Sequence, residues 1–157
     1  MISAPGGPVR AGHDVQDRGF RFLNGNFLEK VSGDSTAGKL AVFDSERTVR
    51  GGPPAHFHPD QDEWFHVIEG IFDIAVDGVE HRLGPGDSIL GPTGLTHAFT
   101  NVTEHGRLLL VFAPAGKMEA FFRLISELGD VSPDSFAKIS MDHGMVVTGP
   151  PLAIRQN

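Results

Sequence analysis

Glycine and proline interrupt the middle of this chain at short intervals. The interruptions include "GGPP" at 51–54, "EG" at 69–70, "DG" at 77–78, "GPGD" at 84–87 and "GPTG" at 91–94. The runs between them, such as "EWFHVIE", "IFDIAV" and "RLLLVFA", are too short for ordinary helices and are rich in β-branched and aromatic residues. Many short strands joined by tight turns are typical of a sandwich or barrel, so we predict an all-β fold.

Two details sharpen this prediction. Asp77 and Gly78 separate two strand-like runs, which indicates a two-residue hairpin turn with positive φ. Residues 64–68 and 108–112 are apolar on both faces of their predicted strands. Since a barrel strand has one face inside, the outer face needs a cover, which would be another sheet, a helix or a second subunit. We therefore expect a homodimer.

The flanks of the strand-rich region differ from it in pattern. We expect an arm at about 1–17, first strands around "FRFLNGNFLEKV" and "KLAVFDSE", and a helical segment at about 116–144. In that segment, 117–128 has an apolar helical stripe and 132–144 reads as a second helix that begins with Ser132 and Pro133. The remaining "MVVTGPPLAIRQN" is expected to lie on the surface. The whole chain, 1–157, is expected to form a single domain.

Composition excludes several classes of partner. The formal net charge of -7 argues against nucleic acid and anionic membranes. The N-terminus lacks the pattern of a secretory signal, and no stretch is long enough to span a bilayer, so we expect a cytoplasmic protein. Because the chain has no cysteine, a metal site would have to use His, Asp or Glu.

Histidines in two separate segments suggest such a site. Residues two apart in a strand point the same way, so His56 and His58 share one face. The turn "PDQD" allows Glu63 to return alongside them, and the glycines of "GPTG" permit a reversal that aims His97 into the same cavity. By the same parity His66 faces away from Glu63, and His13, His81, His105 and His143 are better read as surface or helix-end residues.

These residues stand in the two sequence motifs of the cupin superfamily, which this chain resembles over about 36–115. The first motif is matched by His56, His58, Glu63 and Gly70, although its leading glycine, Gly51, is one residue closer to His56 than usual. The second motif is matched at every position, by Gly86, Pro92, Gly94, His97 and Asn101.

The resemblance implies a jelly-roll barrel, also called a double-stranded β-helix, followed here by the C-terminal amphipathic helix. It also implies one divalent transition metal ion, held by three histidines and Glu63. Imidazole and carboxylate ligands suit Fe, Ni, Co, Mn, Cu or Zn and do not select among them. Four protein ligands leave two positions open on an octahedral ion, where a substrate oxygen or dioxygen could enter.

Parity also predicts the walls of the pocket. Phe65, Val67 and Phe99 should face inward with the ligands, together with one face of the strand 108–112, which carries Phe112. Few charged side chains are available to point inward, so we expect a small apolar or aromatic substrate. The phenylalanines of the 117–128 helix could cover the mouth of the barrel, although an ordinary core role is favoured for them.

Within the superfamily, the segment after the barrel resembles small proteins similar to bacterial quercetin 2,3-dioxygenase. That resemblance implies a metal-bound flavonol or similar enol, activation by Glu63 as a general base, and oxidation by dioxygen. A non-enzymatic sensor or storage protein for a small ligand or metal is an alternative. A sugar isomerase or epimerase is favoured less, since the chain has no tyrosine to bind a sugar.

Overall fold

Short β-strands make up most of the regular structure in this computed structural model, which describes residues 6–155. The strands are β1 (Phe20–Phe22), β2 (Gly25–Val31), β3 (Ala41–Arg47), β4 (Pro54–Phe57), β5 (Asp62–Glu69), β6 (Phe72–Val76), β7 (Val79–Leu83), β8 (Ser88–Gly91), β9 (His97–Asn101), β10 (Gly106–Ala113) and β11 (Val146–Pro151). Two helices, α1 (Met118–Leu128) and α2 (Pro133–Asp142), lie between β10 and β11. The first five residues of the predicted arm lie outside the described residues, and the rest of the arm, 6–17, contains only turns and irregular structure.

Two antiparallel sheets enclose the interior. One has the strand order β1-β2-β3-β10-β5-β8, and the other has the order β11-β4-β9-β6-β7. Alternate residues of the strands point inward, as on β10, where Leu108, Leu110 and Phe112 are buried. The predicted all-β jelly-roll fold is confirmed, as is the hairpin between β6 and β7. In that hairpin Val76 pairs with Val79, and Asp77 and Gly78 both have positive φ.

Helix α1 packs its apolar stripe against the barrel. Met118, Phe121, Phe122 and Ile125 are buried, and the ring of Phe122 stacks on Phe27 of β2 at a centroid distance of 4.6 Å. Leu128 is exposed, although the periodicity also places it on the stripe, because the helix ends at this residue. Neither α1 nor α2, the two α-helices of residues 6–155, is long and apolar enough to cross a membrane.

The predicted surface tail is wrong for its first part. Val146–Pro151 forms β11, which pairs with β4 so that Val147 lies opposite His56, and Met145 just before it is buried. The two prolines of β11 are tolerated because this strand lies at the edge of its sheet. Helix α2 begins as expected, with the Ser132 side chain accepting a hydrogen bond from the Ser135 N–H.

Candidate metal centre

The four side chains predicted as ligands come together in the fold. His56 lies on β4, His58 directly after it, Glu63 on β5 and His97 on β9. One potential ligand atom of each residue lies within 4.8 Å of those of the other three. Three of the residues are buried and His56 is nearly so, which distinguishes this cluster from a solvated group of surface charges. The cluster is therefore able to hold a metal ion.

Strand pairing and two turns set this arrangement. His56 and His97 are directly paired between β4 and β9, so their side chains are neighbours on one sheet. Glu63 reaches them from the other sheet. Hydrogen bonds join the turn between β4 and β5 to the turn between β8 and β9. The Asp62 carboxylate accepts hydrogen bonds from both the N–H and the hydroxyl of Thr93, and the Gly94 N–H donates to the His58 carbonyl. The loop before β9 is thereby fixed against the loop before β5.

The three distances from Glu63 to the histidines fit a shared ion. Glu63 Oε2 is 2.8 Å from His97 Nε2, 3.1 Å from His58 Nε2 and 4.0 Å from His56 Nε2. Nitrogen and oxygen ligands lie about 2.0–2.2 Å from a transition metal ion, so two donors on one ion are at most roughly 4.4 Å apart. All three of these separations lie below that limit.

The ring orientations point one nitrogen of each histidine inward. His56 Nδ1 lies 2.8 Å from the Pro54 carbonyl oxygen and must carry the proton there, which leaves the Nε2 lone pair free for an ion. His97 Nδ1 is buried without a protein partner in the described chain. A Cβ at position 91 would lie 3.0 Å from this nitrogen, so Gly91 leaves the room that the His97 ring occupies.

Electrostatics keep two of the candidate ligands, His56 and Glu63, in the forms that bind metals. Burial and, to a smaller extent, the neighbouring His97 lower the pKa of His56 to about 4 against the opposing attraction of Glu63, so His56 is neutral at neutral pH. Burial would raise the pKa of Glu63, but hydrogen bonds from His58 and His97 and the attraction of these rings outweigh it. They hold the pKa of this carboxyl well below its ordinary range. Metal binding requires deprotonated ligands, and these two residues already are.

An apolar cavity of about 30 Å³ adjoins the cluster. His56 and Glu63 line it, and the other lining residues are Phe22, Phe27, Pro53, Phe99, Leu110, Phe112, Met118, Phe121, Phe122, Phe136, Ser140, Met145 and Val147. Phe99 and Phe112 thus lie where the sequence predicts them.

Phe65 and Val67 do not line this cavity. Both are fully buried and face inward with Glu63, as parity predicts, but each lies farther along β5 from the cavity. The Phe65 ring instead packs edge-on against the His97 ring at 5.5 Å and so supports this ligand from behind. Parity sets the face of a strand and not the depth along it, so the role of these two residues as pocket walls stays a prediction.

The helical side of the cavity was not predicted as a pocket. Phe121 and Phe122 of α1 line the cavity, whereas the sequence favours an ordinary core role for them. Ser140 of α2 and Val147 of β11 also reach it, and they belong to segments with no recognisable motif. The apolar stripe of α1 was the available signal. His66, in contrast, lies on the outer face as predicted, with its ring stacked on Trp64 at 5.3 Å.

Comparison with protein-family models and with curated proteins finds sequences similar to this chain. Residues 46–112 match the model of the cupin domain family. Quercetin 2,3-dioxygenase of Bacillus subtilis (strain 168) is 29% identical over 111 residues, which cover 69% of this chain and 33% of that protein. Protein SchB of Streptomyces halstedii is 32% identical over 101 residues, which cover 63% of this chain and 62% of that protein. The chain thus spans about a third and about three fifths of these two relatives.

A solved structure shows the same architecture. KdgF from Halomonas sp. superposes with a TM-score of 0.59 over 71% of this chain and 99% of that chain, at 15% sequence identity. At this identity the similarity concerns the fold alone.

Proposed function

We propose that this chain is a metal-dependent dioxygenase of the cupin superfamily that acts on a small apolar or aromatic enol, such as a flavonol. His56, His58, Glu63 and His97 would hold one divalent ion. The observation that carries the proposal is the position of this cluster on the wall of a cavity that is otherwise lined almost wholly by apolar side chains. Such a cavity binds an apolar substrate and directs its oxygen to the cluster.

The residues fit a catalytic rather than a closed structural site. A divalent Fe, Ni, Co, Mn, Cu or Zn ion held by these residues would supply Lewis-acid chemistry. His56 and Glu63 line the cavity, so this chemistry would be supplied at the cavity wall.

Glu63 is the residue we assign to proton transfer. Its carboxylate is ionised and buried, and it lines the cavity where an enol hydroxyl would enter. This carboxylate can accept the hydroxyl proton, and the resulting enolate is the electron-rich form that dioxygen oxidises. His58 and His97, each within hydrogen-bond distance of Glu63 Oε2, position this carboxylate.

The size of the cavity implies that the substrate moves some of its walls. A cavity of about 30 Å³ has room for only about two water molecules, which is less than an aromatic ring needs. Met118 and Met145 line it, and their unbranched side chains adapt readily to a new shape. The apolar walls of the cavity limit the water that reaches the cluster, which protects a reactive enolate.

Oxygen uptake tests the proposal. Protein loaded separately with Fe, Ni, Co or Mn is incubated with quercetin in an oxygen electrode, and we expect uptake that depends on both metal and quercetin. Glu63→Gln should lower the rate by roughly 10²- to 10⁴-fold, as loss of a general base does, whereas the buried Glu29→Gln outside the cavity should not. Tight quercetin binding without uptake under any metal would contradict the dioxygenase and favour the sensor.

We also propose that the chain forms a homodimer. Trp64 and Leu90 are paired across β5 and β8 on the outer face of the larger sheet, and they are 36% and 46% exposed. Exposed neighbouring apolar residues of this kind favour a second subunit as their cover. Sedimentation equilibrium of the wild-type chain and of Trp64→Glu should show a dimer that the substitution weakens.

A further inference from the structure

One polar group of the cavity has no part in the metal cluster. Ser140 lies on α2, is 1% exposed and lines the cavity. Its hydroxyl oxygen is buried and has no hydrogen-bond partner within the described chain. A buried hydroxyl without a partner is unfavourable because folding removes its hydrogen bonds to water.

No hydrogen bond within α2 satisfies the Ser140 hydroxyl. Serine in a helix commonly donates to the carbonyl four residues earlier, which here belongs to Phe136, but the Ser140 hydroxyl does not make that bond. The backbone of Ser140 does form the helix end, because its carbonyl accepts from the N–H groups of His143 and Met145 at 3.0 Å and 2.9 Å. These bonds would survive replacement of the side chain.

The polar groups of the cavity wall therefore come from two different places. His56 and Glu63 belong to the strands of the barrel, and Ser140 belongs to the helical cover. The other lining side chains are apolar. A ligand that fills this cavity meets hydrogen-bonding groups at these two places and hydrocarbon between them.

We propose that the Ser140 hydroxyl is a second polar anchor for the ligand of this cavity. The ligand class is an apolar, ring-containing molecule with an enol oxygen that meets the metal cluster and a separate hydroxyl or carbonyl that bonds Ser140. This inference rests on the proposed function for the enol end of the ligand. It adds a substrate-binding residue from outside the cupin motifs and a requirement for a second polar group.

Ser45 provides a matched control. It is fully buried on β3, its hydroxyl also has no partner within the described chain, and it does not line the cavity. Serine to alanine at either position removes the same atom from a buried site. An effect that depends only on removing a buried hydroxyl should appear in both variants, and an effect on the ligand should appear only at position 140.

Thermal unfolding without ligand tests whether the Ser140 hydroxyl is free in the folded protein. Ser140→Ala should leave the Tm unchanged or raise it, because the replacement removes an unpartnered polar group and alanine favours helix. A clear fall in Tm would overturn the inference, since it would show that the hydroxyl has a structural partner.

Binding of two probes to the metal-loaded protein tests the anchor itself. Quercetin carries hydroxyls on both of its ring systems, whereas 3-hydroxyflavone has only the enol hydroxyl, and calorimetry gives the Kd of each. Ser140→Ala should weaken quercetin binding by about 3- to 10-fold, the loss expected for one hydrogen bond, and should leave 3-hydroxyflavone binding unchanged. Ser45→Ala should alter neither Kd.

The outcomes separate this inference from the proposed function. Equal binding of quercetin by Ser140→Ala and wild type would overturn the anchor alone, and so would an equal loss for both probes. Failure of the wild-type protein to bind either probe would overturn the proposed flavonol function and the anchor with it.

Discussion

Glu63 and Glu29 are two glutamates that are buried almost equally, with 3% and 1% of their surface exposed, yet they differ in their ionisation. Glu63 accepts hydrogen bonds from His58 and His97, and these hold its pKa well below the ordinary range. Both carboxyl oxygens of Glu29 are buried with no hydrogen-bond partner in the described chain. Burial, assisted by the nearby charges of Glu119 and Asp14, raises the pKa of Glu29 to about 8.

The contrast shows that partners, rather than burial, make a buried carboxyl into a candidate ligand. Depth alone favours the neutral acid, as at Glu29, where Arg123 and Arg18 are too weak an influence to restore the charge. Histidines at hydrogen-bond distance keep Glu63 anionic and ready to bind a cation. Glu29 is therefore a suitable control residue, because it is a buried glutamate that lies outside the candidate metal site.

The largest effect we expect is the loss of stabilisation by metal. A divalent ion that binds only the folded state, present at a thousand times its Kd, stabilises a protein by about 4 kcal/mol. Added Ni²⁺ or Mn²⁺ should thus raise the Tm of the wild-type protein, and His97→Ala should remove most of that increase. His66→Ala should retain it, because this ring lies on the outer face. An undiminished increase in His97→Ala would contradict the assignment of His97 as a ligand.

A smaller effect, a gain of stability rather than a loss, is expected when Glu29 is replaced. In the unfolded chain this residue titrates near 4.5, while in the folded chain its pKa is about 8. Between these values the unfolded state binds fewer protons, so the contribution of Glu29 to the free energy of unfolding falls as pH rises. At roughly 1.4 kcal/mol per pKa unit, Glu29→Gln should gain stability over wild type by at most a few kcal/mol between pH 5 and pH 8. Urea unfolding at both pH values measures this, and a pH-independent difference would contradict the raised pKa.

The smallest effect concerns Asp14, which links the arm to β2. Its carboxylate accepts hydrogen bonds from the N–H groups of Glu29 and Gln16, each at 2.7 Å. Asp14→Asn keeps only one acceptor oxygen and should cost about 1 kcal/mol. It also removes a negative charge that raises the pKa of Glu29, so the pH dependence of stability should become shallower. Urea unfolding of the single variant and of the double variant with Glu29→Gln tests both points, and a steeper pH dependence would refute this role of Asp14.

The same contrast shows what the sequence could predict. Local rules place His56 and His58 on one face and permit a turn that brings His97 to them, and the resemblance to the two cupin motifs completes the predicted set of ligands. Glu29 follows the same alternation, since it shares the inward face of β2 with Phe27, but a charged residue between lysine and leucine reads as solvent-exposed. Only the packing of the arm and α1 over β2 buries it.

Long-range packing also explains why the sequence did not predict some of the residues that line the cavity. Val147 and Ser140 reach the cavity because β11 returns to pair with β4 and α2 packs beside it. No local pattern specifies such a return, and the prolines of β11 argue against it. Phe65 shows the complementary limit, because its face is predictable from β5 alone whereas its depth depends on how the two sheets meet.

Metal content tests the central claim most directly. Wild-type protein and the variants Glu63→Ala and Glu29→Gln are purified without chelator and analysed by inductively coupled plasma mass spectrometry. We predict about one divalent transition metal ion per chain in wild type and in Glu29→Gln, and a loss of most of it in Glu63→Ala, because only Glu63 lies among the histidines. The absence of metal from wild type, or equal metal in all three proteins, would contradict the account.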